Sequence, residues 1–270
     1  MKMNKNVLFS ALLMGLGSLS AQAQSPSRPV KISHAEPLFQ DLVRDLGARK
    51  GEKEFNFGTD FSSGDHYREQ GILAEYEFAP INRLGLEVET DFSFFRRKKG
   101  TDASAPIPGN RLDGLRLSGQ YTFVVSEKHQ ASLAVGYTQI FELTDFKNYG
   151  KDKLISGLVY SPFFIAAKKW GSNIHTMIYT YPEIEHRLGQ SGVQVDWAIN
   201  TSMMYSLPNT GHFIGVEVNK EITQGKMYVT FRPQVKVELN DHFALGFVTG
   251  IPLQHRAGSN SSFFRLIYEP

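Results

Sequence analysis

The chain has no cysteine among its 270 residues. Disulfide bracing, thiolate metal sites and cysteine nucleophiles are therefore excluded, and passage through an oxidising compartment carries no risk of mispairing. Beyond residue 24 no run of about 18 apolar residues occurs, so no helical membrane span is encoded. Charge of one sign is lacking too: 29 Lys and Arg stand against 27 Asp and Glu, which leaves no electrostatic footprint for nucleic acid. There is no Gly-rich phosphate loop, and no sequence context calls for a cofactor or a metal. The mean hydropathy of −0.27 would suit a soluble protein. Strands that alternate between lipid and water give the same value, so it decides nothing.

What is present begins with a secretory pattern. Lys2 and Lys5 precede an apolar stretch from Val7 to Leu19, and Ala21-Gln22-Ala23 supplies a small-x-small cleavage site. Residues 1–23 are thus expected to be a signal peptide, cleaved before Gln24, with no lipoprotein cysteine. The stretch is short for a bilayer span of about 20 residues.

Period-two patterning dominates the remainder. From Met227 to Leu239 every odd position is apolar or proline, while Thr230, Arg232, Gln234, Lys236 and Glu238 are polar. One face of such a strand is apolar and the other polar. The pattern recurs in Leu84–Phe94, where Glu87, Glu89 and Asp91 alternate with Leu86, Val88 and Phe92, and again around Asp196 and Trp197. Twelve segments have strand character: 54–61, 70–78, 84–94, 115–125, 131–141, 155–167, 174–181, 193–205, 212–220, 226–239, 243–251 and 262–268. The faces of 155–167 and 174–181 stay unassigned, and Pro162 predicts a local irregularity. Short connections alternate with longer polar ones led by 96–111, as in outer-membrane barrels.

A soluble β-sandwich would carry Lys and Glu on its outward faces. The apolar faces here instead carry Phe92, Phe94, Tyr121, Phe123, Tyr205, Phe264 and Tyr268 near strand ends, where aromatic girdles sit. The expected fold is all-β: a transmembrane antiparallel barrel of 12 strands over residues 54–270, in a bacterial outer membrane. Phe264, Leu266 and Tyr268 resemble the terminal assembly signal read by barrel-assembly machinery, although Glu269 and Pro270 follow the aromatic.

Residues 24–53 are not strand-like. Leu38, Phe39, Leu42, Val43 and Leu46 fall at helical spacing after Pro37 and before Gly47, which predicts a short amphipathic helix. It would be periplasmic, open to a partner there, or lumenal. In the lumenal reading the basic residues Arg44, Arg49, Lys50 and Lys53 neutralise an acidic wall of Glu75, Glu77, Glu87, Glu89 and Asp91, and the segment plugs the barrel. The small residues Ser132, Ala134 and Gly136 would make room for it. Hairpin pairing places Glu75 near Glu87, and like charges across a ladder call for cations. Arg116, Arg232 and Lys236 are the candidates. The stretch SHAEPLFQDLVRDLGARKGEKE, residues 33–54, resembles the start of a family of bacterial outer-membrane barrels without an assigned activity. The resemblance implies a barrel and no catalytic residue.

Twelve-stranded barrels include channels, translocators and lipid-acting enzymes. A phospholipase would need His-x-Ser on a strand, which is absent, and His175-Thr176 is a poor substitute. His66, His186 and His255 lie in predicted outer loops, with Glu183 and Glu185 beside His186, and could converge on a metal, but lone loop histidines are usually solvated. Arg96, Arg97, Lys98 and Lys99 follow an aromatic strand end and would meet lipopolysaccharide phosphates. The expected function is a narrow channel for small polar solutes or a closed structural barrel. The alternatives are an accessory subunit of an export or assembly complex and a lipid-modifying enzyme.

Overall fold

A computed structural model describes residues 29–151, 153–254 and 260–270. The expected signal peptide and His255 lie outside the described residues. Twelve antiparallel strands form a closed barrel: β1 Lys53–Ser63, β2 Tyr67–Ile81, β3 Leu84–Arg97, β4 Arg111–Ser126, β5 Ala131–Leu143, β6 Ile155–Trp170, β7 Ile174–Arg187, β8 Gln194–Ser206, β9 Phe213–Thr223, β10 Lys226–Glu238, β11 Phe243–Pro252 and β12 Ser261–Tyr268. Pairing of β1 with β12 closes the sheet and removes both edges.

The register shows why these residues face as they do. Every Asp and Glu within the twelve strands points to the lumen. Large apolar side chains take the opposite face, with Phe57 55 %, Trp197 48 % and Phe231 41 % exposed. This sorting suits an outward face in hydrocarbon, where a charge is costly. Phe264, Leu266 and Tyr268 are outward on β12, and the Tyr268 ring stacks 4.7 Å from Phe243 and 6.1 Å from Phe55, across both of its neighbours.

At the end that carries residue 53, connections are short: 82–83, 127–130, 171–173, 207–212 and 239–242. The opposite end carries 98–110, 144–154, 188–193 and 253–260 and is the outer one by the barrel convention. The rhythm has two exceptions there, 64–66 between β1 and β2 and the turn after β9. β9 and β10 join through Gln224 and Gly225 alone, both at positive φ (51° and 75°), the geometry of a tight hairpin turn. β7 continues to Arg187 through what reads as loop, so Glu183 and Glu185 face the lumen while His186 faces outward, and no histidine–carboxylate centre forms from them. The irregularity expected at Pro162 is a gap in the β6–β7 ladder between Tyr160↔Ile184 and Phe164↔Thr180.

One expectation is corrected. Residues 29–52 form bends and turns rather than an amphipathic helix, and the helical structure among the described residues is a single 3₁₀ turn, Phe146–Asn148. A helix of about a dozen residues is marginal in water. Here the backbone donors that a helix would satisfy internally are taken by side chains of the barrel wall.

Candidate functional site: a chain segment inside the lumen

The segment 29–52 lies inside the barrel, in the half nearer the short turns. Its apolar side chains meet two apolar patches of the lumenal wall. Leu42, Val43 and Leu46 pack with Ala134, Phe163, Ile165, Ala167, Met177 and Tyr179 of β5–β7. Leu38 packs with Met204, Phe213, Ala244, Val248, Phe263 and Ile267 of β8–β12. Full burial of such a side chain contributes roughly 1.5–3 kcal/mol. Phe39 sits at the inner tip, still 37 % exposed, with the Arg232 guanidinium 3.3 Å from its ring centroid and Phe263 edge-on.

Polar wall residues hold the backbone. Glu217 accepts from the amides of Phe39 (3.0 Å) and Gln40 (3.2 Å), and Gln234 accepts from that of Leu38 (2.7 Å). Thr122 accepts from the Gly47 amide at 2.9 Å, and the Gln120 side chain donates to the Arg44 carbonyl. Gly85 makes room for the segment, since a Cβ there would lie 2.4 Å from that of Arg44.

Opposite the apolar patches stands the acidic wall of β1–β4. Glu75 pairs directly with Glu89, and Glu77 with Glu87, two residues away from the pairing that a turn at 79–83 gives, because β2 runs on to Ile81 and the turn is only Asn82 and Arg83. Carboxylate oxygens of Glu75, Glu87 and Glu89 still lie within 4.8 Å of one another. Arg44 enters this wall and pairs with Glu54 (2.5 Å) and Glu77 (3.2 Å). Arg116 pairs with Glu89 (3.2 Å) and Asp91 (3.1 Å). Asn56, wholly buried, donates to Glu54, Glu75 and Glu77.

The other expected cations go elsewhere. Arg49, Lys50 and Lys53 stay at the rim, with Lys50 and Lys53 exposed and Arg49 bonded to the Pro29 carbonyl. Arg232 serves Phe39 and Asn219 rather than the acids. Lys236 and Glu238 line a cavity of about 490 Å³ at the short-turn end. Sequence reasoning missed Arg265, which is buried on β12, pairs with Asp41 and lies 3.9 Å from Glu75. Its position inside an assembly-signal strand gave no hint of that role.

Two histidine–hydroxyl contacts lie here, one joining segment and wall and one within the wall. His34 lies 3.0 Å from the Ser132 hydroxyl, and His175, facing inward, lies 3.2 Å from that of Ser206. His175 Nδ1 accepts from the Ala35 amide (3.1 Å), so its Nε2 carries the proton and donates to Ser206. It therefore cannot deprotonate that serine, and among the described residues no carboxylate hydrogen-bonds to either ring to orient it as a base. Burial lowers the His34 imidazole to about 4, with His175 and Lys169 adding to the effect. The folded state thus favours neutral His34. That contribution is complete above about pH 6.5, the unfolded value, and is lost as pH falls toward 4. The thermal midpoint should drop over this window more steeply than in His34→Gln; parallel curves would remove His34 from the effect.

Above the segment the lumen opens toward the long loops. A cavity of about 220 Å³ there is lined by Asp91, Asp113, Glu142, Glu183, Glu185 and Asp196, with Arg116 the one basic residue in the described lining, while Arg111 and Arg187 beside it pair with Asp113 and Glu185 (2.5 Å each). Asp196 accepts from Gln194 at 2.8 Å. Outside, the basic run divides. Arg97 is bonded to the carbonyls of Asp102 and Ala105, and Lys98 to that of Gly64, while Arg96 and Lys99 are exposed.

Among solved structures, the chain is similar to an outer membrane channel from Pseudomonas putida F1 (12 % identity, TM-score 0.62, covering 87 % of this chain and 100 % of that one). It is also similar to the NanC porin (9 %, 0.57, 80 % and 99 %) and to the KdgM porin (11 %, 0.55, 80 % and 98 %). At such identities the likeness is one of fold. Among curated proteins none matches the sequence. Residues 30–269 match the family described as HAEPLYID-like; the chain belongs to that family of barrels.

Proposed function

We propose that the protein is an outer-membrane channel for small polar solutes, closed in its periplasmic half by its own segment 29–52. The observation that carries this reading is the seating of Leu38, Leu42, Val43 and Leu46 in the lumen below an acidic vestibule. A structural wall would have no use for such a vestibule. Twelve strands lie between eight, which leave an interior filled by side chains, and sixteen, which leave an aqueous channel. Removal of the segment would therefore leave a narrow pore.

The vestibule acids select among solutes. A KdgM porin structure is described in complex with disordered oligogalacturonate, a sugar acid. The carboxylates here disfavour such anions and admit neutral or cationic solutes. Planar-bilayer recordings of the whole protein and of a deletion of residues 29–52 test the proposal. The whole protein should be silent or nearly so. The deletion should show steady openings with a cation-selective reversal potential, and unchanged conductance would overturn the reading.

A further inference from the structure

We propose that Arg68 and Arg96 form a clamp for the phosphates of a phosphorylated glycolipid in the outer leaflet, a site independent of whether the lumen conducts. The two residues are direct cross-strand partners on β2 and β3. Both share the outward face with Ile72, Phe92 and Phe94 by the alternation of the ladder, and both are exposed. Like charges placed directly opposite destabilise a sheet. A counter-ion is therefore called for on that face, and the described residues do not provide one. No strand carboxylate points outward, and among the described residues neither guanidinium has an ion-pair partner.

Height and geometry identify the anion. Arg96 stands two residues beyond Phe94, about 7 Å along the strand at the usual rise, just above the outward aromatic belt. Lipid head groups occupy that level. Opposed side chains have Cβ atoms about 4.5–5.5 Å apart, a spacing at which two guanidinium forks can share the oxygens of one phosphate. The flanking loop is held for this arrangement. Arg97 binds two loop carbonyls and Lys98 binds Gly64, so neither competes for the anion. A free phosphate would have the same chemistry. A lipid is favoured because the clamp is continuous with the apolar belt that holds acyl chains.

The test uses the full-length protein reconstituted in phosphatidylcholine vesicles doped with bisphosphorylated lipid A, or with the same lipid stripped of its phosphates. Binding to the phosphorylated lipid should be about tenfold tighter. The Arg68→Gln/Arg96→Gln double variant should lose this preference, while Lys220→Gln, also on the outward face but alone, should keep it. Heat-modifiable gel mobility checks that each variant has folded. A preference retained by the folded double variant would overturn the clamp. Equal competition by millimolar inorganic phosphate would overturn the lipid as its occupant.

Discussion

Arg44→Met is expected to destabilise the plugged barrel by about 3–5 kcal/mol, the usual cost of removing one partner from a buried ion pair. The side chain is buried between Glu54 and Glu77, and nothing else in the segment reaches those carboxylates. Methionine keeps the volume and removes the charge, which leaves two acids facing each other beside Glu75. Denaturant titration followed by gel mobility would measure the loss. Adding Glu77→Gln to the variant should recover part of it, because one of the unpaired charges is then gone. Wild-type stability in Arg44→Met would show that the acidic wall does not depend on the segment.

The second large effect concerns the membrane face. Phe231→Arg should cost about 2–4 kcal/mol, the price of a cation in the lipid-facing midplane. Thr230→Arg, one residue away, should be far better tolerated, because Thr230 faces the lumen opposite Asn219 and Pro252. The two variants differ only in which side of the sheet receives the charge. Comparing folded yields after refolding into vesicles separates them, and equal yields would mean that the assigned facing is wrong.

The strands were legible in the sequence because water and lipid impose opposite demands on alternate residues. β3 and β10 show this most clearly, since their inward positions hold acids, amides and cations. The faces of β6 and β7 were not legible, for a physical reason now visible. Their lumenal positions, among them Phe163, Ile165, Met177 and Tyr179, are apolar where they receive Leu42, Val43 and Leu46. Both sides of these strands are therefore greasy, and alternation carries no information. The same contact explains the missing helix. Leu38, Leu42 and Leu46 recur every four residues, as on one face of a helix, yet the chain divides them between two separate patches of wall. The acidic half of the site was readable from Glu75, Glu77, Glu87, Glu89 and Asp91. Glu217, Gln234, His175 and Arg265 were not, because what they recognise is backbone or a single acid brought close only by closure of the barrel.

The dependence of residues 29–52 on wall side chains for their hydrogen bonds also fixes an order of events. Glu217, Gln234 and Thr122 come from β9, β10 and β4, and they converge on the segment only after β1 has met β12. The segment therefore reaches this arrangement only once the ring is closed, and Glu54 and Glu77 receive the Arg44 guanidinium only then.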